Sequence, residues 1–376
     1  MNTYYNPVRT FQGVGVLEKL PELADRAAQP GKKILLLLWS GCMLNQSGIH
    51  ALQKAEGDRL RVEVFSASNP ELTQLFEMYE KTRSEEIGLV IAVGGGSVLD
   101  VGKSLCCLYG ADLASPAELR EMIAEKRYPT PVCRWIGVPT TAGTGSEVTC
   151  WATIWDSAAN KKYSIDTKEN YAFAALVDPL LAASMPLGLA VSSALDAVCH
   201  AAESYWARAT GAVSRALALD AIRTVMGNID SLLQNPNSCE AHDQMARGSM
   251  LAGLAFSNTR TTACHSISYP LTMQFRIPHG VAVSMLLGPV LELNLPAVED
   301  APALLRAFGV QSPEEVGKRV TSILISAGLA ASLRGWGVTE SDLLLLAARG
   351  ITKGRADNNP VDLTEDLIYD ILKKIL

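Results

Sequence analysis

Short apolar runs alternate with stretches of helical spacing through the first half of the chain, and this alternation most restricts the folds available to it. Residues 33–38, 88–93 and 135–139 are mostly apolar runs, typical of strands that are buried on both faces. Stretches 41–54 and 72–83 have helical spacing. Strands that alternate with helices predict a parallel, doubly wound α/β sheet.

A glycine-rich turn follows one of these predicted strands. Gly94-Gly95-Gly96-Ser97 comes directly after residues 88–93 and precedes a helical run. Glycines let backbone N–H groups approach an anion closely, and the start of a helix offers unpaired donors. A tight turn without a ligand is the alternative, but the flanking strand and helix favour a phosphate or pyrophosphate site. The hydroxyl-rich loop 139–149 predicts a second ligand-binding segment.

The second half of the chain has a different pattern. From about Met185 onward, long stretches rich in Ala and Leu have helical spacing, for example 187–208 and 213–234. Asp196 and His200 lie four residues apart in the first of these, so their side chains share one helix face. A buried carboxylate beside an imidazole is unfavourable unless something compensates it, and a divalent cation is the simplest partner.

Three of the five histidines in the chain belong to a possible ligand set with this aspartate. Asp196, His200, His265 and His279 together offer one carboxylate and three imidazoles, a combination that suits Fe²⁺, Zn²⁺, Mn²⁺, Co²⁺ or Ni²⁺. A lone histidine is more often a structural residue. Four such positions in one helical region favour metal binding over that alternative.

These patterns divide the chain into two predicted domains, as its length of 376 residues also suggests. We predict an α/β dinucleotide-binding domain with a parallel, Rossmann-like sheet over residues 1–184. An all-α metal-binding domain is predicted over residues 185–376.

Composition and charge argue against several classes of function. The net charge is −6 and no basic block occurs, so nucleic-acid binding has no electrostatic support. No apolar run reaches the roughly 18 residues of a membrane-spanning helix, and Met1 to Tyr5 lack the features of a signal peptide. The eight cysteines show no CxxC pair and no disulfide-type spacing. We therefore expect a cytoplasmic protein that binds neither nucleic acid nor membranes.

The combined motifs resemble those of the iron-containing (group III) alcohol dehydrogenase family over nearly the whole chain. Gly94 to Lys103 matches its GGGSxxDxxK stretch, and residues 139–149 match its PTTAGTGSEVT loop without a gap. The Asp-x3-His pair and the two later histidines also match. The resemblance implies an NAD(P)-dependent alcohol dehydrogenase or aldehyde reductase that forms a homodimer. It also implies that the four-residue set binds a catalytic divalent metal, commonly Fe²⁺, that activates the carbonyl oxygen.

The same resemblance implies which residues surround the nicotinamide cofactor. Gly95, Gly96 and Ser97 match the pyrophosphate site. Further positions match residues that line the cofactor, namely Asp100, Thr140, Thr141, Thr149, Lys162 and Leu181.

Two positions depart from the family pattern. Tyr269 stands where many members have a histidine, and both a proton-relay role and simple packing remain open for it. Residues 38–41, Leu-Trp-Ser-Gly, lack the Asp with which many NAD-specific members hold the ribose 2′-hydroxyl. Without that carboxylate a 2′-phosphate is not repelled, and no Lys or Arg is present there to attract one. We expect NAD(H) as the cofactor and leave NADP(H) open as the alternative.

A third departure lies just before His265, where residues 257–262 read Ser-Asn-Thr-Arg-Thr-Thr. Burying Arg260 is unfavourable without an anion, and a guanidinium binds phosphonate, sulfonate or carboxylate well. We predict that Arg260, Thr261 and Asn258 contact the anionic head of a short aldehyde; a structural ion pair of Arg260 is the alternative. The segment resembles the subgroup that reduces phosphonoacetaldehyde or sulfoacetaldehyde.

Other functions remain possible from the sequence. A general short-chain alcohol dehydrogenase would share the metal set but take uncharged substrates. A dehydroquinate synthase-like lyase shares the fold, NAD and a divalent metal, but it has fewer histidine ligands and only recycles its cofactor. A nucleotide-binding scaffold without catalysis predicts a defective metal set, and none of the four positions is defective.

Overall fold

The computed structural model describes residues 3–159 and 161–376. These residues form two compact units. One contains residues 6–141 and 146–181, and the other contains residues 182–376 together with 142–145 and residues 3–5. The first unit is α/β and the second is largely helical, which confirms the predicted fold class.

A six-stranded parallel sheet forms the centre of the α/β unit. Its strands are β1 (Arg9–Gln12), β2 (Lys33–Leu38), β3 (Leu60–Val64), β4 (Ile87–Gly94), β5 (Arg134–Pro139) and β8 (Ala174–Val177). Between β5 and β8 the chain forms a separate antiparallel hairpin of β6 (Trp151–Asp156) and β7 (Lys161–Asp166). The order across the sheet is β1-β8-β5-β4-β2-β3, and every neighbouring pair is parallel.

Alternate residues of β2 face two separate hydrophobic cores. Leu35 and Leu37 belong to one core, whereas Ile34 and Leu36 belong to the other, and all four are fully buried. A strand covered on both faces needs apolar residues at every position. The continuous run at 33–38 is therefore the sequence pattern of this strand.

Helices connect and cover the strands of this unit. They are α1 (Leu20–Ala27), α2 (Ser47–Glu56), α3 (Leu72–Thr82), α4 (Gly96–Leu108), α5 (Pro116–Ala124) and α6 (Pro179–Ala182). The turn between β4 and α4 is tight, since a Cβ atom on Gly94 would lie 2.5 Å from Val98 Cγ2. The close approach of α4 to the end of β4 thus requires glycine at this position.

The helical unit contains nine α-helices within the described part of the chain. They are α7 (Leu187–Trp206), α8 (Ala212–Gln234), α9 (Cys239–Thr259), α10 (Ala263–Phe275), α11 (His279–Asn294), α12 (Ala301–Phe308), α13 (Pro313–Ser326), α14 (Leu343–Arg349) and α15 (Glu365–Lys374). Helix α7 is buried at almost every position from Ala190 to its end, so it is the central helix of the unit.

One helical segment of the described chain is long and apolar enough, by length and composition alone, to span a membrane. His279–Ala297 has a mean hydropathy of 1.4, but 61% of its most apolar window is buried inside the protein. It begins with a predicted metal ligand and packs on α7, α10 and α13, as the core helix of a folded unit does.

Candidate metal centre and cofactor-binding elements

Helix α7 places three ionisable side chains on one buried face. Asp196, His200 and Glu203 follow one another at spacings of four and three residues, which returns each side chain to the same side of a helix. Asp196 and His200 are buried, and Glu203 is completely inaccessible to solvent. The surrounding helix is rich in alanine, so these three residues are the polar part of an otherwise apolar core.

Two further histidines reach the same place from the first turns of other helices. His265 lies near the start of α10, and His279 is the first residue of α11. Asp196 Oδ1 is 3.4 Å from His265 Nε2 and 3.9 Å from His279 Nε2. One possible ligand atom from each of these three residues lies within 4.8 Å of the others. The structure therefore brings three of the four predicted ligands around one centre.

The fourth predicted ligand, His200, lies immediately beside this group. Its Nδ1 atom is 3.9 Å from Asp196 Oδ2. The ring of His200 stacks on that of His265 with centroids 4.3 Å apart, and on that of Phe256 at the same distance. His200 thus adjoins the converging set of three without itself belonging to it.

The hydrogen bonding of this cluster tests whether a metal ion fits it. Among the residues that the structure describes, Asp196 Oδ1, His200 Nδ1 and His265 Nε2 are buried atoms without a hydrogen-bond partner. Buried polar atoms are normally paired, because leaving one unpaired is unfavourable by about 1–3 kcal/mol. A carboxylate oxygen and imidazole nitrogens are suitable ligands for a borderline divalent cation. The donor set therefore fits such an ion.

The protonation behaviour of the cluster is consistent with a site for a cation. Burial disfavours the charged form of Asp196, but the charges of the three histidines outweigh this effect and lower its pKa. Burial lowers the pKa of His200 to about 4, which leaves a neutral imidazole. Burial also opposes protonation of His265, yet Glu203 and Asp196 prevail and raise its pKa to about 9. A cation at His265 must therefore displace a proton.

Glu203 is a residue of this site that the sequence analysis missed. Its Oε1 atom accepts hydrogen bonds from Thr262 Oγ1 at 3.1 Å and from the backbone N–H of His265 at 3.2 Å. Its Oε2 atom pairs with His265 Nδ1. Trp206 Nε1 donates to Thr262 Oγ1 at 2.8 Å and extends the network. With Nδ1 engaged by Glu203, Nε2 of His265 is the nitrogen that faces Asp196.

The sequence contained a signal for this residue. Asp196 and Glu203 are seven residues apart, so they share a helix face with His200 in between. A second carboxylate on the face that carries the predicted ligands points to a supporting role in the same site.

The residues predicted to contact substrate lie in different environments. Arg260 follows the end of α9 with φ of +65° and is exposed, so the argument from its burial does not hold. Asn258 hydrogen-bonds the backbone of Tyr5, donating from Nδ2 at 3.1 Å and accepting at Oδ1 at 2.9 Å. Thr261 is buried, and its carbonyl oxygen accepts a hydrogen bond from Asn358. The side chain of Asn258 thus anchors the N-terminal segment to α9.

Tyr269 lies next to the metal-binding cluster. It is buried on α10, and its ring is nearly parallel to that of His279, with centroids 6.2 Å apart and an angle of 9°. Burial raises the pKa of the hydroxyl, although the charge of Arg355 and a hydrogen bond from it act in the opposite direction. Tyr269 is therefore a neutral phenol that contacts one of the three converging residues.

The glycine-rich turn of the α/β unit has the geometry expected of an anion site. Gly95 is the N-cap residue of α4 and has no capping side chain, so the first N–H groups of the helix are not capped by it. A Cβ atom on Gly95 would lie 3.2 Å from the Thr141 side chain. Ser97 is half-buried, and its hydroxyl accepts a hydrogen bond from the N–H of Asn69. Because Gly95 has no side chain, none covers the start of α4, as anion binding at a helix N-terminus requires.

Two of the predicted cofactor residues are engaged within the protein. Asp100 accepts hydrogen bonds from Ser146 Oγ at 2.7 Å and from the N–H of Thr153 at 2.9 Å. Thr149 Oγ1 accepts one from Lys103 Nζ at 3.0 Å. These side chains stabilise the loop 146–153 against α4.

The remaining predicted cofactor residues are distributed around the same unit. Thr140 is buried, and its N–H donates to Gly94 at 3.0 Å, so it follows the end of β5 beside the turn. Thr141 is half-buried next to Gly95. Lys162 lies on β7 with its ammonium 4.6 Å from the ring centre of Trp155. Leu181 is buried in one of the two hydrophobic cores of the unit.

Two family models match the chain and together cover most of it. The model for the iron-containing alcohol dehydrogenase matches residues 7–179. The model for the C-terminal part of the Fe-containing alcohol dehydrogenase family matches residues 190–376. The two matches correspond to the α/β unit and the helical unit, respectively.

Individual relatives extend over nearly the whole chain. A 1,3-propanediol dehydrogenase from Citrobacter freundii is 30% identical over 359 residues, which are 92% of this chain and 91% of that protein. The crystal structure of a sulfoacetaldehyde reductase from Bifidobacterium kashiwanohense in complex with NAD⁺ superposes with a TM-score of 0.89 at 25% identity, covering 100% of this chain and 98% of the other. That of a 1,3-propanediol oxidoreductase superposes with a TM-score of 0.87 at 26% identity, with full coverage of both chains.

Proposed function

Because the chain belongs to the iron-containing alcohol dehydrogenase family and is thus a metal-dependent, NAD-linked alcohol dehydrogenase or aldehyde reductase, we propose that it reduces a short aldehyde bearing an anionic head group. The proposed reactions convert sulfoacetaldehyde to isethionate or phosphonoacetaldehyde to 2-hydroxyethylphosphonate. In either reaction the carbonyl carbon gains a hydride, its oxygen gains a proton, and NADH becomes NAD⁺. The convergence of Asp196, His265 and His279 is the observation that carries the metal-dependent part of the proposal.

We propose that Asp196, His200, His265 and His279 hold the divalent metal, with Fe²⁺ as the expected ion. When bound, the metal supplies a Lewis acid for the carbonyl oxygen, and the reduced nicotinamide supplies the hydride. Glu203 orients the His265 ring through its Nδ1 atom. Asp196, His200, Glu203 and His265 are buried and His279 is half-buried, so most of the cluster is shielded from water, which strengthens the charge interactions within it.

For the cofactor, we propose that the turn at Gly95, Gly96 and Ser97 binds the pyrophosphate. The buried hydrogen bonds of Asp100 and Thr149 support the surrounding loop, so their proposed contribution to cofactor binding is to position it. The segment after β2 presents Trp39, which is 38% exposed, and no carboxylate occurs from 38 to 41. NAD(H) is the proposed cofactor, and parallel assays with NADPH test this choice.

Tyr269 is proposed to donate a proton towards the alkoxide, since its neutral hydroxyl lies beside His279. Changing Tyr269 to Phe removes the hydroxyl and keeps the ring. We expect kcat to fall by about 10-fold or more. Unchanged turnover would leave Tyr269 with a packing role only.

The substrate class rests on two lines of support. The sequence of segment 257–262 before His265 resembles that of the phosphonoacetaldehyde or sulfoacetaldehyde reductase subgroup, and one structural relative is named as a sulfoacetaldehyde reductase. The alternative, an uncharged substrate, is supported by the relatives that are named for 1,3-propanediol.

An aldehyde panel on iron-loaded protein decides between these two substrate classes. We expect kcat/KM for sulfoacetaldehyde or phosphonoacetaldehyde to exceed that for propanal and butanal, with stoichiometric loss of NADH. If the uncharged aldehydes react faster, the anionic substrate class is wrong although the oxidoreductase activity stands. Catalysis without net NADH consumption would instead indicate lyase chemistry.

We also propose that the protein is a homodimer. Strand β1 lies at one edge of the six-stranded sheet, and an edge strand is a position at which a second chain is able to associate. Light scattering coupled to size-exclusion chromatography gives the mass directly, and a monomer at micromolar concentration would contradict the proposal.

A further inference from the structure

We propose that Arg355 is the residue that recognises the anionic group of the substrate, binding a sulfonate or phosphonate beside the metal cluster. This inference rests on the aldehyde reductase function proposed above. It identifies a specificity-determining residue that lies outside the sequence segment from which the anionic substrate was predicted.

The position of Arg355 next to the site is defined by Tyr269. Arg355 lies between α14 and α15 and is half-buried. Its guanidinium carbon is 5.0 Å from the centre of the Tyr269 ring, which places the cation over the face of that ring. The same ring is nearly parallel to that of His279. One aromatic side chain therefore contacts both the guanidinium and a residue of the metal cluster.

Because the proposed substrates are short, a residue that binds their anionic group must lie near the metal cluster, as Arg355 does. In a two-carbon aldehyde, only the two carbon atoms separate the carbonyl oxygen from the anionic group. A cation that recognises such a group must lie close to the place where the carbonyl oxygen is held. Arg355 meets this condition through its contact with Tyr269.

The charge of Arg355 is not neutralised by a carboxylate. Other arginines of the chain form ion pairs, for example Arg120 with Asp156 at 2.5 Å and Arg208 with Asp362 at 2.6 Å. Within residues 3–159 and 161–376, no ion pair joins the Arg355 guanidinium to an Asp or Glu carboxylate, and the group it lies over is the neutral ring of Tyr269. A half-buried guanidinium without a carboxylate retains the planar donors that bind sulfonate and phosphonate oxygens in pairs.

Arg260, the arginine suggested by the sequence, is in a different environment. It is exposed at the end of α9, and the neighbouring Asn258 is bound to the backbone of Tyr5. Partial burial beside the metal cluster distinguishes Arg355 from it, because a charge interaction is stronger where water is partly excluded.

Three variants separate these possibilities. Arg355→Gln removes the charge, Arg355→Lys keeps the charge but not the planar fork, and Arg349→Gln removes an exposed charge at the end of α14 as a matched control. We expect Arg355→Gln to lower the ratio of kcat/KM for the anionic aldehyde to that for propanal by about 100-fold, mainly through KM. Arg355→Lys should recover part of this ratio, and Arg349→Gln should retain it.

A binding measurement tests the inference without turnover. Ethanesulfonate and ethylphosphonate are unreactive analogues of the two substrates, and their affinity can be measured by calorimetry on the metal-loaded protein. We expect Arg355→Gln to weaken this binding by about 100-fold relative to the wild type and Arg349→Gln. Circular dichroism and melting curves establish that each variant is folded.

The outcomes distinguish this inference from the proposed function. If the wild type prefers anionic aldehydes but Arg355→Gln keeps both the preference and the analogue affinity, Arg355 is not the recognition residue. The same conclusion follows if Arg260→Gln alone abolishes the preference. If the wild type prefers propanal, the anionic substrate class fails, and the analogue affinities then show independently whether Arg355 binds anions.

Discussion

Each of the two units buries a cluster of charged side chains, and the clusters differ in how completely their atoms are paired. In the α/β unit, Lys103 is fully buried, and its ammonium donates to Ser146 Oγ at 2.7 Å, Thr149 Oγ1 at 3.0 Å and the carbonyl of Trp151 at 2.9 Å. Three donors thus meet three acceptors, and Asp100 lies 3.6 Å away.

The cluster of the helical unit lacks this completeness. Asp196 Oδ1 and His265 Nε2 are buried 3.4 Å apart, and neither has a hydrogen-bond partner among the residues described by the structure. A buried charge network is stable only if its members are satisfied. The comparison shows that complete pairing marks a cluster that supports the fold, whereas incomplete pairing marks one that accommodates a ligand.

The largest expected effect comes from changing the carboxylate of the incomplete cluster. Asp196→Asn removes the negative charge that attracts a cation, so kcat/KM should fall by about 1,000-fold or more and bound metal should be lost. Because the variant also removes a poorly paired buried charge, its metal-free form should melt no lower than the metal-free wild type. Metal analysis and calorimetry measure both effects. A marked loss of metal-free stability would show that Asp196 supports the fold as Lys103 does.

The second prediction concerns the complete cluster. Lys103→Met retains much of the side-chain volume but removes the donor of three hydrogen bonds in the interior, so the free energy of unfolding should decrease by about 3–5 kcal/mol. Urea unfolding of metal-free protein measures this loss, and the affinity for metal in the helical unit should stay at the wild-type value. Unchanged stability would refute the structural role assigned to Lys103.

A third prediction uses Glu147, a fully buried residue whose ionised form is attracted by the charge of Lys103. Burial raises the pKa of Glu147 from 4.5 to about 7. Between these values the folded state retains a proton that the unfolded state has lost, so stability falls as the pH rises from about 4.5 to 7 and then levels off. Over this pH range the ionisation of Glu147 lowers the free energy of unfolding by about 3 kcal/mol.

Glu147→Gln carries no such proton and should lack this part of the pH dependence. Urea unfolding of the wild type and the variant at intervals from pH 5 to pH 8 isolates the contribution as the difference between the two curves. Parallel curves would contradict the raised pKa.

The smallest expected effect is that of the residue that supports the incomplete cluster. Glu203→Gln preserves the shape but replaces a carboxylate beside His265 Nδ1 with a neutral amide. We expect the affinity for the metal to fall by about 10- to 100-fold, because such partners set the orientation and basicity of a ligand histidine. Competition with a chromophoric chelator gives the affinity, and the spectrum of the Co²⁺-substituted protein reports on ligand geometry. Wild-type affinity would limit Glu203 to a packing role.

The fold was predictable from the sequence where a segment shows its burial through its own run of apolar residues. Strand β2 occupies the run 33–38 because both faces of the sheet are covered, so apolarity alone marks it. The hairpin of β6 and β7 was not predicted, since it pairs outside the main sheet and β7 is only partly buried. Helix α10 was also missed, because Pro270 lies within it and its first turn follows a segment rich in hydroxyls.

The site was predictable to the extent that it depends on spacing along one helix. The four-residue interval between Asp196 and His200 follows from helical geometry. The convergence of His265 and His279 depends on how α10 and α11 pack against α7, which a single sequence does not encode locally. For the same reason, the exposure of Arg260 and the position of Arg355 beside Tyr269 became visible only in three dimensions.

The unpaired oxygen of Asp196 has a consequence for the lifetime of the protein in a cell. A ligand that binds only the folded state stabilises it in proportion to the logarithm of its free concentration. When metal is scarce, a larger fraction of molecules should open and become accessible to proteases. The amount of this enzyme would then follow metal supply through degradation alone, without any change in its synthesis.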